Sequence, residues 1–140
     1  MKKYLFGFLT FILFISCQEK KAEVYDLDLL NGYWEIEQVV MPDGTKKEFK
    51  INETIDFFKV KNDSGFRKKV TPQLDGTYLI NDVDEKIKIE QTKHGTFVHY
   101  KTNYAKWKET ILVLTEEQLV LQNDQNIKYE YKKPTPFSVK

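Results

Sequence analysis

Leu29-Leu30-Asn31-Gly32-Tyr33-Trp34-Glu35-Ile36 decides the fold, because it turns on a glycine and then sets side chains alternating. Gly32 permits a turn and a close chain approach at no steric cost. From there the pattern has period two: Trp34, Ile36 and Gln38 share one face, and Tyr33, Glu35 and Glu37 share the other. This is a half-buried strand with a tryptophan at its mouth, placed to plug one end of a barrel.

Toward the C-terminus, every segment with a usable pattern repeats that period. Strands are expected at 33–40, 54–60, 66–71, 77–81, 86–92, 96–103, 107–115, 118–122 and 127–132. Between them, Asp63-Ser64-Gly65, Asp75-Gly76, Lys93-His94-Gly95 and Asn123-Asp124-Gln125-Asn126 supply residues that accept left-handed backbone angles. No long helical pattern interrupts the series. A run of hairpins has to hide its edges, and an all-β, antiparallel up-and-down barrel of eight to nine strands does so. A two-sheet sandwich is the other architecture the pattern allows. The connection from Met41-Pro42-Asp43-Gly44 to Asn52 is longer than an ordinary hairpin loop, with Lys46-Lys47-Glu48-Phe49-Lys50 readable as a short extra edge strand.

Toward the N-terminus the chain changes character. Met1-Lys2-Lys3 is charged, Tyr4 to Ile15 is an apolar run too short to span a bilayer comfortably, and Ser16-Cys17 ends it. Phe14-Ile15-Ser16-Cys17 resembles the lipobox of bacterial lipoproteins, with Phe14 where leucine is usual. The resemblance implies cleavage before Cys17 and a lipid on its sulfur. Cys17 is the one cysteine of the chain, so no intramolecular disulfide forms. The expected organisation is a signal peptide over 1–16, a lipidated Cys17 and tether over 17–28, and a barrel over 29–140. The N-terminal partner is then a membrane, reached through acyl chains that each contribute about 0.8 kcal/mol per buried CH₂. The leader is most similar to those of Bacteroidota lipoproteins of the outer membrane, which implies an envelope location without fixing the face.

Gly32-Tyr33-Trp34 is similar to the G-x-W pattern that opens the lipocalins, and the stretch before it resembles the entry of short bacterial lipocalin-like lipoproteins. Thr102-Asn103-Tyr104 falls where lipocalins carry T-D-Y, with Asn for Asp. The lipocalin arginine that packs over the tryptophan from the final strand has no counterpart, since the one arginine is Arg67. Lys132 or Lys133 is the candidate substitute, by a cation–π contact with Trp34. The resemblance also implies that the long loop at 41–53 lies over the barrel mouth as a lid.

Charge excludes several function classes. The chain holds 22 Lys+Arg against 21 Asp+Glu, and losing Lys2 and Lys3 with the leader leaves 20 basic residues. There is no basic excess for nucleic acid. Stretches such as Lys86-Ile87-Lys88-Ile89-Glu90 read as solvated sheet faces, so no polybasic membrane patch is expected. His94 and His99 lack metal-ligand spacing, His99 is expected to face solvent, and no nucleophile motif or phosphate loop is present. Neither cofactor nor metal is expected. Glu35, Glu37, Glu90 and Glu130 alternate outward, which leaves few inward acids for catalysis.

Aromatic content stands out, with 10 Phe, 8 Tyr and 2 Trp. The residues expected to line the barrel interior and bind ligand are Trp34, Ile36, Phe57, Tyr78, Ile89, Tyr100, Tyr129 and Tyr131. Such a lining suits a small hydrophobic or amphipathic molecule. The expected function is therefore non-catalytic ligand binding by a lipid-anchored envelope protein. The alternative is a structural or inhibitory protein-interaction module whose barrel is filled by its own side chains.

Overall fold

Alternation becomes architecture through backbone pairing. In the computed structural model, which describes residues 20–80 and 83–135, the strands are β1 (Gly32–Val40), β2 (Lys46–Glu48), β3 (Ile55–Lys61), β4 (Ser64–Pro72), β5 (Tyr78–Ile80), β6 (Glu85–Thr92), β7 (Gly95–Lys101), β8 (Lys106–Leu114), β9 (Gln118–Asn123) and β10 (Lys128–Lys132). Eight of them close an antiparallel ring in the order β1-β3-β4-β6-β7-β8-β9-β10, with β10 paired back to β1. Closure removes the free edges, so the barrel is the architecture and the sandwich is not. The expected signal peptide over 1–16 and the expected lipidation site Cys17 lie outside the described residues. Among the described residues no helix is long and apolar enough to cross a membrane.

Two strands lie off the ring. β2 forms inside the long 41–53 connection and pairs with Gln38, Val39 and Val40 of β1. The Met41 amide donates to the Thr45 carbonyl at 2.8 Å, and Asn52 Nδ2 donates to the Ile36 carbonyl at 3.0 Å. The connection is thus the extra strand rather than the lid, and it runs beside β1 as part of the wall. β5 pairs with Val70–Pro72 of β4, whereas β6 takes the same edge of β4 at Ser64–Arg67. One turn is displaced from its expected place. The β3–β4 hairpin turns at Asn62, with φ 59°, and Asp63, so Ser64 and Gly65 already belong to β4.

Trp34 sets which face is inside. It is fully buried, and its Nε1 donates to the Leu30 carbonyl at 2.9 Å, pinning the 3-10 helix Leu27–Leu30 across one end. Trp34 lies opposite Asp56, and Phe58 lies opposite Arg67. Phe58, Val60, Ile89, Val98, Ile111 and Leu119 complete an apolar core at that end. Packing begins at Tyr25, ahead of the expected barrel boundary at residue 29: its hydroxyl donates to the Leu112 carbonyl at 2.7 Å, and its amide to Gln91 Oε1 at 2.9 Å.

Phe57 and Tyr78 do not line the interior. Phe57 is the Cα partner of Tyr33, one residue out of phase with Trp34. Tyr33 lies 4.8 Å from the Phe57 ring and stacks on Tyr78 at 4.0 Å, while Phe57 meets Phe66 at 6.2 Å. These rings form a separate cluster on the outer wall. The aromatic pair Phe57-Phe58 satisfies either phase on its own, and Asp56 opposite Trp34 shows which one the barrel adopts.

Candidate functional site

The end of the barrel away from Leu30 is built differently from the core. Strand parity points Asp56 of β3, Arg67 and Lys69 of β4, Glu85 of β6, Tyr100 of β7, Trp107 and Glu109 of β8, and Tyr129 and Tyr131 of β10 toward the axis. Above the apolar plug, therefore, the wall carries ions and rings. A cup of about 300 Å³ opens there, lined by Arg67, Lys69, Trp107, Glu109, Asn123, Tyr129 and Tyr131.

Arg67 is the floor of this cup. Its Nε donates to Glu85 Oε2, and its Nη1 stands 3.6 Å from Glu109 Oε1. The guanidinium lies 4.4 Å over the Tyr100 ring and 5.8 Å from the Phe58 ring, so its faces are covered by π-systems while its edge meets carboxylates. Burial works against its charge, yet Tyr100, Glu85 and Asp56 outweigh that, and its pKa lies above the ordinary guanidinium value. Lys69 Nζ sits 2.5 Å from Oδ1 of the buried Asp56. Tyr100 stacks on Trp107 with centroids 5.2 Å apart, and Asn123 Nδ2 donates to the Tyr129 hydroxyl at 3.4 Å.

The acids and phenols respond to the same burial. Glu109 has its pKa raised by burial, with Arg67 opposing the shift. Tyr100 and Tyr131 are pushed well above the ordinary phenol value, again by burial and against Arg67 in both cases. The Tyr100 hydroxyl is buried beside the Glu109 carboxyl group.

Placement divides the expected interior residues into groups. Tyr129 and Tyr131 line the cup, and Tyr100 lies beneath it under Arg67. Ile36, the Cα partner of Tyr131, is half-buried against the core. Trp34 and Ile89 are buried in the apolar half. Phe57 and Tyr78 are outside, where Tyr78 instead borders a recess of about 330 Å³ with Asn52, Ile55 and Gly76. The lower half of the interior is thus filled, and the upper half is open.

Arg67, Lys69, Trp107, Glu109 and Asn123 are the lining residues that the sequence reading left out. A signal for Glu109 existed, since it shares strand parity with Trp107. The expectation of few inward acids is corrected accordingly, because Asp56, Glu85 and Glu109 all turn inward. His99 faces out, its Nε2 3.2 Å from Glu90 Oε2, and His94 is exposed in the β6–β7 turn. Thr102 organises the β7–β8 turn, its Oγ1 accepting from the amides of Tyr104 and Ala105, and Tyr104 projects into solvent. Among the described residues no group of three His, Cys, Asp or Glu is placed to hold a metal.

Comparison with known proteins matches residues 30–121 to a family model described as a lipocalin-like domain. None of the curated proteins matches the sequence. Among solved structures, a lipocalin-like protein from Bacteroides uniformis shares 15% identity at TM-score 0.47, over 76% of this chain and 99% of that one. An uncharacterized protein from Bacteroides eggerthii shares 11% identity at TM-score 0.47, over 75% and 99%. Lobster apocrustacyanin A1 shares 9% identity at TM-score 0.43, over 80% and 64%.

Proposed function

The chain belongs to the lipocalin-like domain family, and from that premise we propose that it is a lipid-anchored envelope protein that holds a small amphipathic molecule in the cup at the barrel mouth, without catalysis. One observation carries the reading: a sealed apolar half supports an open half lined with ring faces, hydroxyls and a half-exposed ammonium. A volume of about 300 Å³ lies at the small end for a ligand pocket. It suits one or two rings with polar substituents rather than a long acyl chain. The edge and face of Trp107 provide apolar contact, and Lys69, Tyr129 and Tyr131 provide orientation.

The inward acids do not make the cup an acid–base centre. Glu85 and Glu109 are held by Arg67, and Asp56 by Lys69, so each carboxylate has a cation beside it. Such internally paired networks also perturb pKa values without any reaction to serve. Lipidation at Cys17 and residence in the envelope rest on the leader sequence. A protein-interaction role draws on a different feature, the exposure of Leu74, Leu79 and Ile80 on the β4–β5 hairpin.

Native mass spectrometry of residues 18–140, purified from the natural host without detergent, tests the reading. The expected result is a co-purifying small molecule that is lost in Trp107→Ala and Tyr129→Ala and kept in Tyr78→Ala, whose ring lies outside the barrel. A clean apo mass, with no displacement of an apolar dye, overturns it in favour of a protein partner.

A further inference from the structure

The outer wall of β6, β7 and β8 carries a lysine array that the linear order of the sequence conceals. With Ile87, Ile89, Val98, Tyr100, Trp107 and Glu109 inward, the alternate residues of these strands face out. Register then places Lys86 opposite Lys101, and Lys101 opposite Lys106, as one row across three strands. The adjacent row runs Lys88, His99, Lys108. Like charges directly opposite one another destabilise a sheet, so the row is a cost that packing does not offset. Of the acids that interleave with these lysines along the chain, Glu85 turns inward to Arg67, while Glu90 stays on the outer face and reaches His99 of the second row at 3.2 Å.

Compensation is partial and uneven. Lys88 reaches Asp63 at 2.8 Å, and Lys108 lies 5.3 Å over the Phe97 ring. Among the described residues no carboxylate is within ion-pair distance of Lys86, Lys101 or Lys106. The five lysines and His99 border a shallow groove of about 530 Å³, with Asp124 as the acid at its rim. The whole chain has a formal net charge of only +1, so the array is a local concentration and not a general basicity.

We propose that this wall docks on an anionic membrane surface, its lysine rows engaging lipid phosphates. The position of the chain's beginning selects that partner. Lys20 and Lys21 lie beside Thr92, Lys93 and His94 at the far end of the same β6–β7 pair. A lipid on Cys17, three residues before Lys20, therefore holds the β6–β7 turn end of this wall within about 10 Å of chain from the bilayer, with the lysine rows following along the same strands. That part of the argument rests on the lipidation reading above; the lysine array does not. Docked in this way, the wall that the sequence reads as a solvated face positions the barrel on its side, with the cup opening along the membrane.

Sedimentation of residues 18–140, which contain every described strand and the whole described core, with vesicles of phosphatidylcholine alone or mixed with phosphatidylglycerol tests the wall without any lipid anchor. The domain is expected to partition onto the anionic vesicles only. K86E/K101E/K106E is expected to weaken partitioning by well over about a hundredfold, since each lysine contributes about 1 kcal/mol and its reversal removes more than that. K86Q/K101Q/K106Q is expected to weaken it less but clearly. The charge-matched K46E/K59E/K128E, changed on other walls, is expected to keep most of it. Absence of partitioning at low salt, equal loss in the two charge-reversed variants, or tighter binding of duplex DNA than of vesicles overturns the proposal. Lipidation is read separately, from the mass of the full chain isolated from its host, so the two readings fail independently.

Discussion

Lys133 Nζ lies 3.8 Å from the centre of the Trp34 ring and 3.4 Å from the Asn31 carbonyl oxygen, to which it donates. The last strand thereby clasps the first at the sealed end of the barrel. The only arginine of the chain is committed to the cup, and a lysine does the stacking in its place. Burial pulls the Lys133 pKa below the ordinary lysine value.

Lys133→Met keeps the alkyl stem over Trp34 and removes the charge. Its urea midpoint is expected to fall by an amount equivalent to about 1 kcal/mol. Lys133→Arg, which can stack in the same place, is expected to stay near the parent. Equal losses in both would assign the contact to steric fit rather than to the cation.

Glu109 makes stability pH-dependent. Its folded pKa is raised by burial, with Arg67 opposing, so the native state binds the proton more tightly than the unfolded chain does. Stability from this group is full below the ordinary carboxylate pKa and is lost as pH rises through the folded value. Glu109→Gln is therefore expected to flatten the decline above about pH 4.5. Denaturation midpoints of the two proteins across pH 4 to 8 should diverge upward, on the order of tenths of a molar in urea.

Gly65 faces inward opposite Val60, where an added Cβ would fall 1.9 Å from the Lys59 carbonyl oxygen. The obstacle is backbone, which cannot swing aside as a side chain would. Gly65→Ala is expected to cost about 3 kcal/mol or to shift the β3–β4 register. Gly76→Ala is the contrasting variant: nothing lies within 4 Å of its Cβ, and its cost comes from a φ of +85° alone. Thermal unfolding of the pair separates collision from backbone strain.

Lys101→Glu places a carboxylate between Lys86 and Lys106. Stability is expected to rise by roughly 0.5 to 1 kcal/mol, since two like-charge pairs become opposite-charge pairs. The gain should shrink as salt is added, which calorimetry at two ionic strengths reads directly.

Period two was legible wherever one face was plainly apolar, as in Ile87-Lys88-Ile89 and Tyr129-Glu130-Tyr131. It was ambiguous where both phases offered aromatics. In Ile55-Asp56-Phe57-Phe58, the eye takes Asp56 as exposed, and the barrel buries it against Lys69. In Phe66-Arg67-Lys68-Lys69, Phe66 looks like the inward residue, yet it packs outside on Phe57 while Arg67 enters the core. One residue of phase reverses the whole face. The charged part of the cup was hidden for that reason: Lys69 meets Asp56 across a hairpin whose phase was ambiguous, and Arg67 meets Glu109 from a strand far away in sequence. The substitute lysine over Trp34 was legible because the absence of a second arginine left so few candidates.

The ring closes between residues 32–40 and 128–132, the first strand and the last. A nascent chain pairs one edge of its opening strand early, with β2 and β3, and carries the other edge unmated until β10 has been delivered. Closure of this barrel waits for its last strand, however early the hairpins between have paired. Whatever holds the chain in the interval must shield Tyr33-Trp34-Glu35-Ile36, the stretch with which the fold begins.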